Sequence, residues 1–235
     1  MPSDSPSTPR HHALLLPGLD GTGLLFRPFT DLRPPQFRTD VLSYPEALVS
    51  YADAEAFVAA RLPEGARTLL IAESFSGPIA VRLAARLHQR VAGVVLVASF
   101  VRSPVTALAQ AVPWRVVFSV RPPRLALRLT LLGPDCEEAV VRAMQDVLAR
   151  LPARTMAHRL RSVLTVDVSE QLRACVVPML YICGRDDRLV GTRGLADIHA
   201  VRPELEHITV DAPHLVLQRN PADAWAAIER FVKGF

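Results

Sequence analysis

A doubly wound α/β domain on a mainly parallel sheet is what the sequence predicts, and three observations carry that prediction. Four short apolar runs, Ala13–Leu16, Thr68–Ala72, Gly93–Ala98 and Pro178–Cys183, lack polar alternation and are bounded by turn residues. Parallel strands covered on both faces look like this. Helical patterns separate the runs, with apolar residues recurring every three or four positions. Finally, 235 residues, half of them hydrophobic, suit one domain with a substantial buried core.

Taken in order, the chain opens on MPSDSPSTPRHH, a polar, proline-bearing stretch with no hydrophobic region of the kind a secretory signal needs. Residues 1–12 are expected to form a loose tail, and the protein to be cytoplasmic. The strand at Ala13–Leu16 follows, then a weaker candidate at Phe37–Leu42. The run Thr68–Ala72 leads into an amphipathic helix marked by Ile79, Ala80, Leu83, Ala84 and Leu87, and Gly93–Ala98 resumes the sheet. Residues 101–168 break the alternation. Helical stretches such as Ala139, Val140, Ala143, Met144, Val147 and Leu148 are punctuated there by prolines, and no convincing strand appears. The expected division is a core of 13–100 and 169–235 with a helical cap of 101–168 inserted in it, either a packed subdomain or a lid. Pro178–Cys183, a weak strand at Leu205–Val210 and a helix carrying Ala224, Trp225, Ile228, Phe231 and Val232 complete the core.

Composition excludes several classes. Only 21% of residues are charged, against a disordered protein, and Arg or Pro interrupts every apolar run before a membrane span could form. Three cysteines, Cys136, Cys175 and Cys183, include no C-x-x-C pair, so neither a disulfide framework nor structural zinc is expected. The net charge of +4 is modest for a nucleic-acid binder, and no basic block is interleaved with aromatics. That charge is concentrated: residues 101–165 hold ten arginines against four acids, leaving +6 there and −2 elsewhere. Those arginines are either the wet faces of helices or a surface for an anionic partner.

The chemistry centres on TLLIAESFSGPIAVRLAAR, Thr68–Arg86, where a buried strand runs through a serine into a helix. A nucleophile at such a sharp turn needs small residues two positions either side, because larger ones clash with neighbouring backbone. Ala72 and Ser76 around Ser74 satisfy this, whereas Ser76 as centre would have Pro78 at the outer position. Ser74 is therefore the candidate nucleophile, and the competing reading makes it only a helix cap. Upstream, Gly18, Gly21 and Gly23 follow the first strand, so the backbone N–H of Leu19 and that of Phe75 are placed to form an oxyanion hole. Such donors contribute about 3 kcal/mol each to acyl transfer. Nucleotide binding is disfavoured, since neither G-x-G-x-x-G nor Gly-Lys-Ser/Thr is present.

A serine of ordinary acidity needs a histidine base oriented by a carboxylate. Of seven histidines, His214 alone follows the last strand in a loop, VDAPHLVLQRNP, and the chain order Ser, acid, His selects it. MLYICGRDDRLV supplies the acid at a strand end: Asp187 is preferred, three residues past Gly184, with Asp186 the alternative.

The segments LPGLDGTG, AESFSG, CGRDDRLV and DAPHLVLQ, in this order and spacing, resemble the α/β-hydrolase superfamily. The resemblance covers Ala13–Val101 and Ser169–Val232, and the insertion matches in position only, where many members carry a helical cap. It implies an α/β-hydrolase sheet of about six strands lacking the leading hairpin, no metal and no organic cofactor, and the roles given above to Ser74, Asp187 and His214. Pro17-Gly18 stands where the oxyanion loop usually has His-Gly. The layout is similar to small capped carboxylesterases, including those that cleave methyl esters on acyl carrier protein. The expected activity is hydrolysis of a carboxylic ester or thioester, free or carrier-bound. Acyl transfer or carbon–carbon bond cleavage on the same triad, and a non-catalytic ligand receptor, are the alternatives. Nothing in the sequence sets the oligomeric state.

Overall fold

The computed structural model describes residues 9–105 and 107–234. Six strands, β1 (His11–Leu16), β2 (Phe37–Val41), β3 (Thr68–Glu73), β4 (Val91–Val97), β5 (Met179–Gly184) and β6 (Glu206–Val210), form one sheet in the order β2-β1-β3-β4-β5-β6. Every pairing is parallel. The strands predicted from apolar runs are the inner ones: β3 is buried throughout, and β4 at all but one position. Edge strands β2 and β6 are largely exposed, which explains their weaker apolar signal.

Eleven helices, α1 (Arg27–Asp31), α2 (Tyr51–Ala59), α3 (Gly77–Arg86), α4 (Trp114–Ser119), α5 (Arg124–Leu127), α6 (Glu138–Ala149), α7 (Ala153–Leu164), α8 (Ser169–Ala174), α9 (Gly191–His199), α10 (Val216–Arg219) and α11 (Pro221–Val232), are found among the described residues. Alternate residues of each inner strand serve opposite faces. Leu14, Leu16, Leu70, Val94, Leu96 and Tyr181 pack with α2, α3, α8 and α9, while Leu15, Ile71, Val95, Val97 and Ile182 pack with α1, α10 and α11. On the second face Trp225 stacks on Phe29 at 4.2 Å and donates its indole N–H to the Phe29 carbonyl at 2.8 Å. Local signals start the helices: the Ser50 hydroxyl accepts from the Asp53 N–H at the head of α2, and Pro221 begins α11 behind an Asn220 cap.

Residues 1–8 of the expected tail lie outside the described residues. His11 and His12 do not belong to a tail but open β1. The His12 ring pins the strand to its neighbours, with Nε2 2.7 Å from Asp40 and Nδ1 3.1 Å from Thr68 Oγ1. The insertion holds α4 to α7, and an isolated antiparallel bridge, Arg102 to Asp167, joins its two ends. Its Leu127, Leu132, Cys136, Val141 and Met144 form one apolar cluster with Leu215, and Leu25 packs against it. Among the described residues no helix is long and apolar enough to cross a membrane.

Strand order reverses direction after β1: the chain passes to β2 on one side and then to β3 on the other. The loops leaving β1 and β3 therefore diverge, opening a crevice at the carboxyl edge where parallel α/β sheets bind ligands. Helix α3 meets the segment leaving β4 closely at Gly77, where a Cβ would sit 1.8 Å from Ser99 Oγ and 2.8 Å from Ser99 Cβ. Gly77→Ala is expected to destabilise the fold by about 1–3 kcal/mol through overpacking, measured by urea unfolding.

Candidate active site

Ser74 leaves the end of β3 with φ 47°, in the left-handed region that non-glycine residues rarely occupy, and a 3₁₀ turn, Ser74–Ser76, passes directly into α3. This sharp reversal lifts the Ser74 hydroxyl off the sheet edge. Ser76, by contrast, is fully buried and faces away from any substrate, its hydroxyl donating to the Pro17 carbonyl at 2.5 Å and accepting from Tyr44 Oη at 2.7 Å. It ties the elbow to the loop after β1. Behind the turn the Ser99 hydroxyl donates to the Ser74 carbonyl at 2.6 Å, and Tyr181 Oη donates to the Ser99 carbonyl at 2.9 Å.

His214 stands in the loop between β6 and α10, and its Nε2 lies 3.1 Å from Ser74 Oγ. Its Nδ1 faces both oxygens of Asp187 at 3.0 Å. With Nδ1–H donating to the carboxylate, Nε2 is left as the acceptor for the serine proton. Gly184 permits this meeting, since a Cβ there would come within 2.3 Å of the Pro213 carbonyl. Asp187 is also fixed from behind, its Oδ1 accepting from the N–H groups of Leu189 at 2.9 Å and Val190 at 3.1 Å. Burial pushes its carboxyl up, but the His214 hydrogen bond and charge, with those two N–H groups, outweigh burial and hold it below the usual carboxylate range. Asp186, the alternative acid, is exposed. The remaining histidines lie elsewhere; His199, for instance, faces the Leu205 carbonyl at 3.0 Å. The structure thus brings Ser74, His214 and Asp187 into one hydrogen-bonded row.

Leu19, with Gly18 and Asp20, lines the same cavity as Ser74 and His214, and Phe75 follows the serine in the elbow turn. What holds the Leu19 loop comes from the cap. Arg159 of α7 is fully buried, and its guanidinium donates to the carbonyls of Leu19 (3.1 Å), Asp20 (2.7 Å), Pro45 (3.1 Å) and Leu48 (3.0 Å). Gly21, at φ 72°, leaves it room: a Cβ there would lie 2.3 Å from Arg159 Nη1. Helix α7 is therefore hydrogen-bonded to the loops after β1 and β2. Arg159 is one of the ten cap arginines, and sequence had no means to separate it from those on helix surfaces. Arg102, Arg121, Arg124 and Arg128 are answered within the insertion by Asp167, Asp146 and Glu138.

Glu73, one residue before the serine, was also missed. It is buried and accepts one hydrogen bond, from Gln218 Nε2 at 3.2 Å, while its Oε1 and Gln218 Oε1 have no donor. Burial pushes its pKa up to about 8, against the lowering effect of Gln218, and the nearby Asp20 adds to the rise. A protonated Glu73 would bury no net charge here. The signal available in sequence was a lone acidic residue in an otherwise apolar strand.

A cavity of about 840 Å³ opens from this row into the insertion, with Leu127, Leu131, Met144, Leu148, Met156 and Leu215 among its walls. Among the described residues no cluster of three or more His, Cys, Asp or Glu side chains could hold a metal ion.

A six-stranded parallel sheet, a serine elbow and a histidine–aspartate pair at its carboxyl edge define a class of hydrolytic α/β proteins. Residues 7–228 match the model of the alpha/beta hydrolase family, and the chain belongs to that family and is a hydrolase. Its fold is similar to the enol-lactonase from Burkholderia xenovorans LB400 (18% identity, TM-score 0.77, covering 95% of this chain and 91% of the other). It is also similar to a thermophilic esterase from Thermogutta terrifontis (19% identity, TM-score 0.77, 95% and 90%). A third similar structure is the N-formylmaleamic acid deformylase from Pseudomonas putida S16 (13% identity, TM-score 0.73, 93% and 91%). At these identities the likeness is one of fold. No curated protein sequence matches the chain.

Two outcomes test this description. The raised pKa of Glu73 means the folded state holds a proton that the unfolded chain releases above about pH 4.5, so stability falls as pH rises toward 8. Glu73→Gln removes that loss, and its stability relative to the parent should rise by a few kcal/mol between pH 5 and pH 9, at ~1.4 kcal/mol per pKa unit. Arg159→Met takes the donor from the carbonyls of Leu19, Asp20 and Leu48, while Pro45 keeps the Leu48 N–H, and is expected to cost about 3 kcal/mol or more in denaturant unfolding. Activity should fall with it, because the Leu19 loop loses its support.

Proposed function

We propose that the protein is a serine hydrolase of carboxylic esters or thioesters working through an acyl-enzyme. The observation that carries this reading is the row from Asp187 through His214 to Ser74, with successive distances of 3.0 and 3.1 Å. Ser74 Oγ attacks the carbonyl carbon as His214 Nε2 takes its proton, and the imidazolium is steadied by Asp187. Negative charge gathers on the former carbonyl oxygen, where the N–H groups of Leu19 and Phe75 are assigned as donors. His214 then protonates the leaving alcohol or thiol, and water, deprotonated by the same imidazole, releases the acid. The chemistry needs no metal or organic cofactor.

The substrate is proposed to be a free small molecule rather than a carrier-bound one, because the cavity beside Ser74 has mainly apolar walls and five of the ten cap arginines, Arg102, Arg121, Arg124, Arg128 and Arg159, already have partners. Esterase and lactonase relatives of the fold support the reaction class without setting the substrate. Three unpaired cysteines, Cys136, Cys175 and Cys183, support a reducing, cytoplasmic setting.

Replacing Ser74 by Ala should lower turnover of p-nitrophenyl acetate by about four orders of magnitude or more while unfolding stays cooperative. A fluorophosphonate probe should label the peptide carrying Ser74, and the variant should not react. Retained turnover, or labelling elsewhere, would remove the assignment. Rates with free and with carrier-bound acyl esters should both change little between low and high salt, whereas a steep salt dependence with the carrier-bound ester would restore a charged macromolecular partner.

A further inference from the structure

We propose that the cavity takes an uncharged ester bearing a long aliphatic chain and turns away esters that carry a second, free carboxylate. This deepens the serine-hydrolase reading of the same site and rests on it. Three observations lead there. The first is capacity: about 840 Å³ lies toward the large end of small-molecule pockets, far more than an acetyl or lactone group occupies. The second is chemistry. Beyond the reacting end the walls are mainly hydrocarbon and thioether, with Leu127 and Leu131 on one stretch of the insertion, Met144 and Leu148 from α6, and Met156 from α7, and the hydroxyls of Ser119 and Thr130 there donate to the Val116 and Ala126 carbonyls. A flexible chain fits walls of Leu and Met, which adapt to its course.

The third observation is charge. The charged residues among the described lining are Asp20, Glu73 and Arg121. Both acids stand at the reacting end, their oxygens 3.6 and 3.7 Å from where a Cβ on Gly18 would lie. Arg121 is occupied by Asp146 at 2.8 Å. The Arg159 guanidinium lies behind the Leu19 loop, donating to carbonyls, and is not among the cavity's walls. A substrate carboxylate near the serine would face like-signed or neutral acids, and one farther in would lose its water among alkyl groups and meet only a guanidinium already paired with Asp146. Either position is unfavourable by an amount that dispersion contacts cannot return.

The test is a set of kcat/KM values below the micellar range for p-nitrophenyl esters of straight-chain acids, acetate to dodecanoate, and for alkyl acetates of matching lengths. In the series whose chain enters the cavity, kcat/KM should climb about fourfold per methylene until the space is filled. The mono-p-nitrophenyl ester of a dicarboxylic acid should fall about a hundredfold below its methyl-capped counterpart of equal length. Leu148→Trp, which narrows the cavity, should move the optimum to shorter chains. Flat series on both sides, or equal rates for carboxylate-bearing and capped esters, would overturn the proposal while acetate turnover and Ser74 labelling leave the hydrolase reading standing. Silence toward every ester, with Ser74 unlabelled, would take both down.

Discussion

Ser74 sits at a backbone reversal, φ 47°, that its side chain disfavours, and the surroundings hold it there from three sides. The buried strand β3 enters the turn, α3 leaves it through a glycine pressed against Ser99, and Ser99 itself holds the Ser74 carbonyl at 2.6 Å. A conformation that costs on the order of 1–3 kcal/mol survives only when neighbours over-determine it. Here the neighbours are the strand β3 and the segment just beyond β4, whose Ser99 is supported in turn by Tyr181 of β5. Position of the hydroxyl is thereby set by the register of the sheet, and the His214 loop, which arrives beyond β6, needs only to approach Gly184 closely to complete the row.

Polar groups buried around this centre connect its parts. Ser76 links the elbow to Pro17, Tyr44 completes that contact, and Arg159 reaches from the insertion to gather carbonyls of the Leu19 loop and of the segment before α2. An arginine buried with four backbone acceptors gives an unusual role to a charged side chain: it supplies donors to the carbonyls of Leu19, Asp20 and Leu48 and a second donor to that of Pro45. The insertion is thus structurally part of the site, with one helix bonded to the core and its other helices lining the chamber over the serine.

Much of the architecture was legible. Inner strands, covered on both faces, must be apolar throughout, so Thr68–Ala72 and Gly93–Ala98 announced themselves, while β2 and β6 were faint because half their side chains meet water. Helix α2 went unrecognised since its inward face needs only Tyr51, Ala54 and Val58. The serine, the histidine and the aspartate pair could be selected by order along the chain, because elbow, acid turn and histidine loop each carry local steric requirements that leave small residues and glycines behind. Arg159 and Gln218 left no such trace, and Glu73 left only that of an acid ending an apolar strand. An arginine in an arginine-rich helix, a glutamate at a strand end and a glutamine in a short helix have meaning only through partners 111 to 145 positions away.

The chain by itself determined the parallel α/β layering, the serine turn and the residue types of the hydrogen-bonded row, since periodicity and backbone sterics act between near neighbours. Tertiary structure alone decided that Asp187 rather than Asp186 faces His214, that Ser76 is a strut, that one cap arginine supports the core, and how large the chamber is. Those outcomes depend on distances between segments remote in sequence, and such distances exist only after burial has excluded water and brought the segments together.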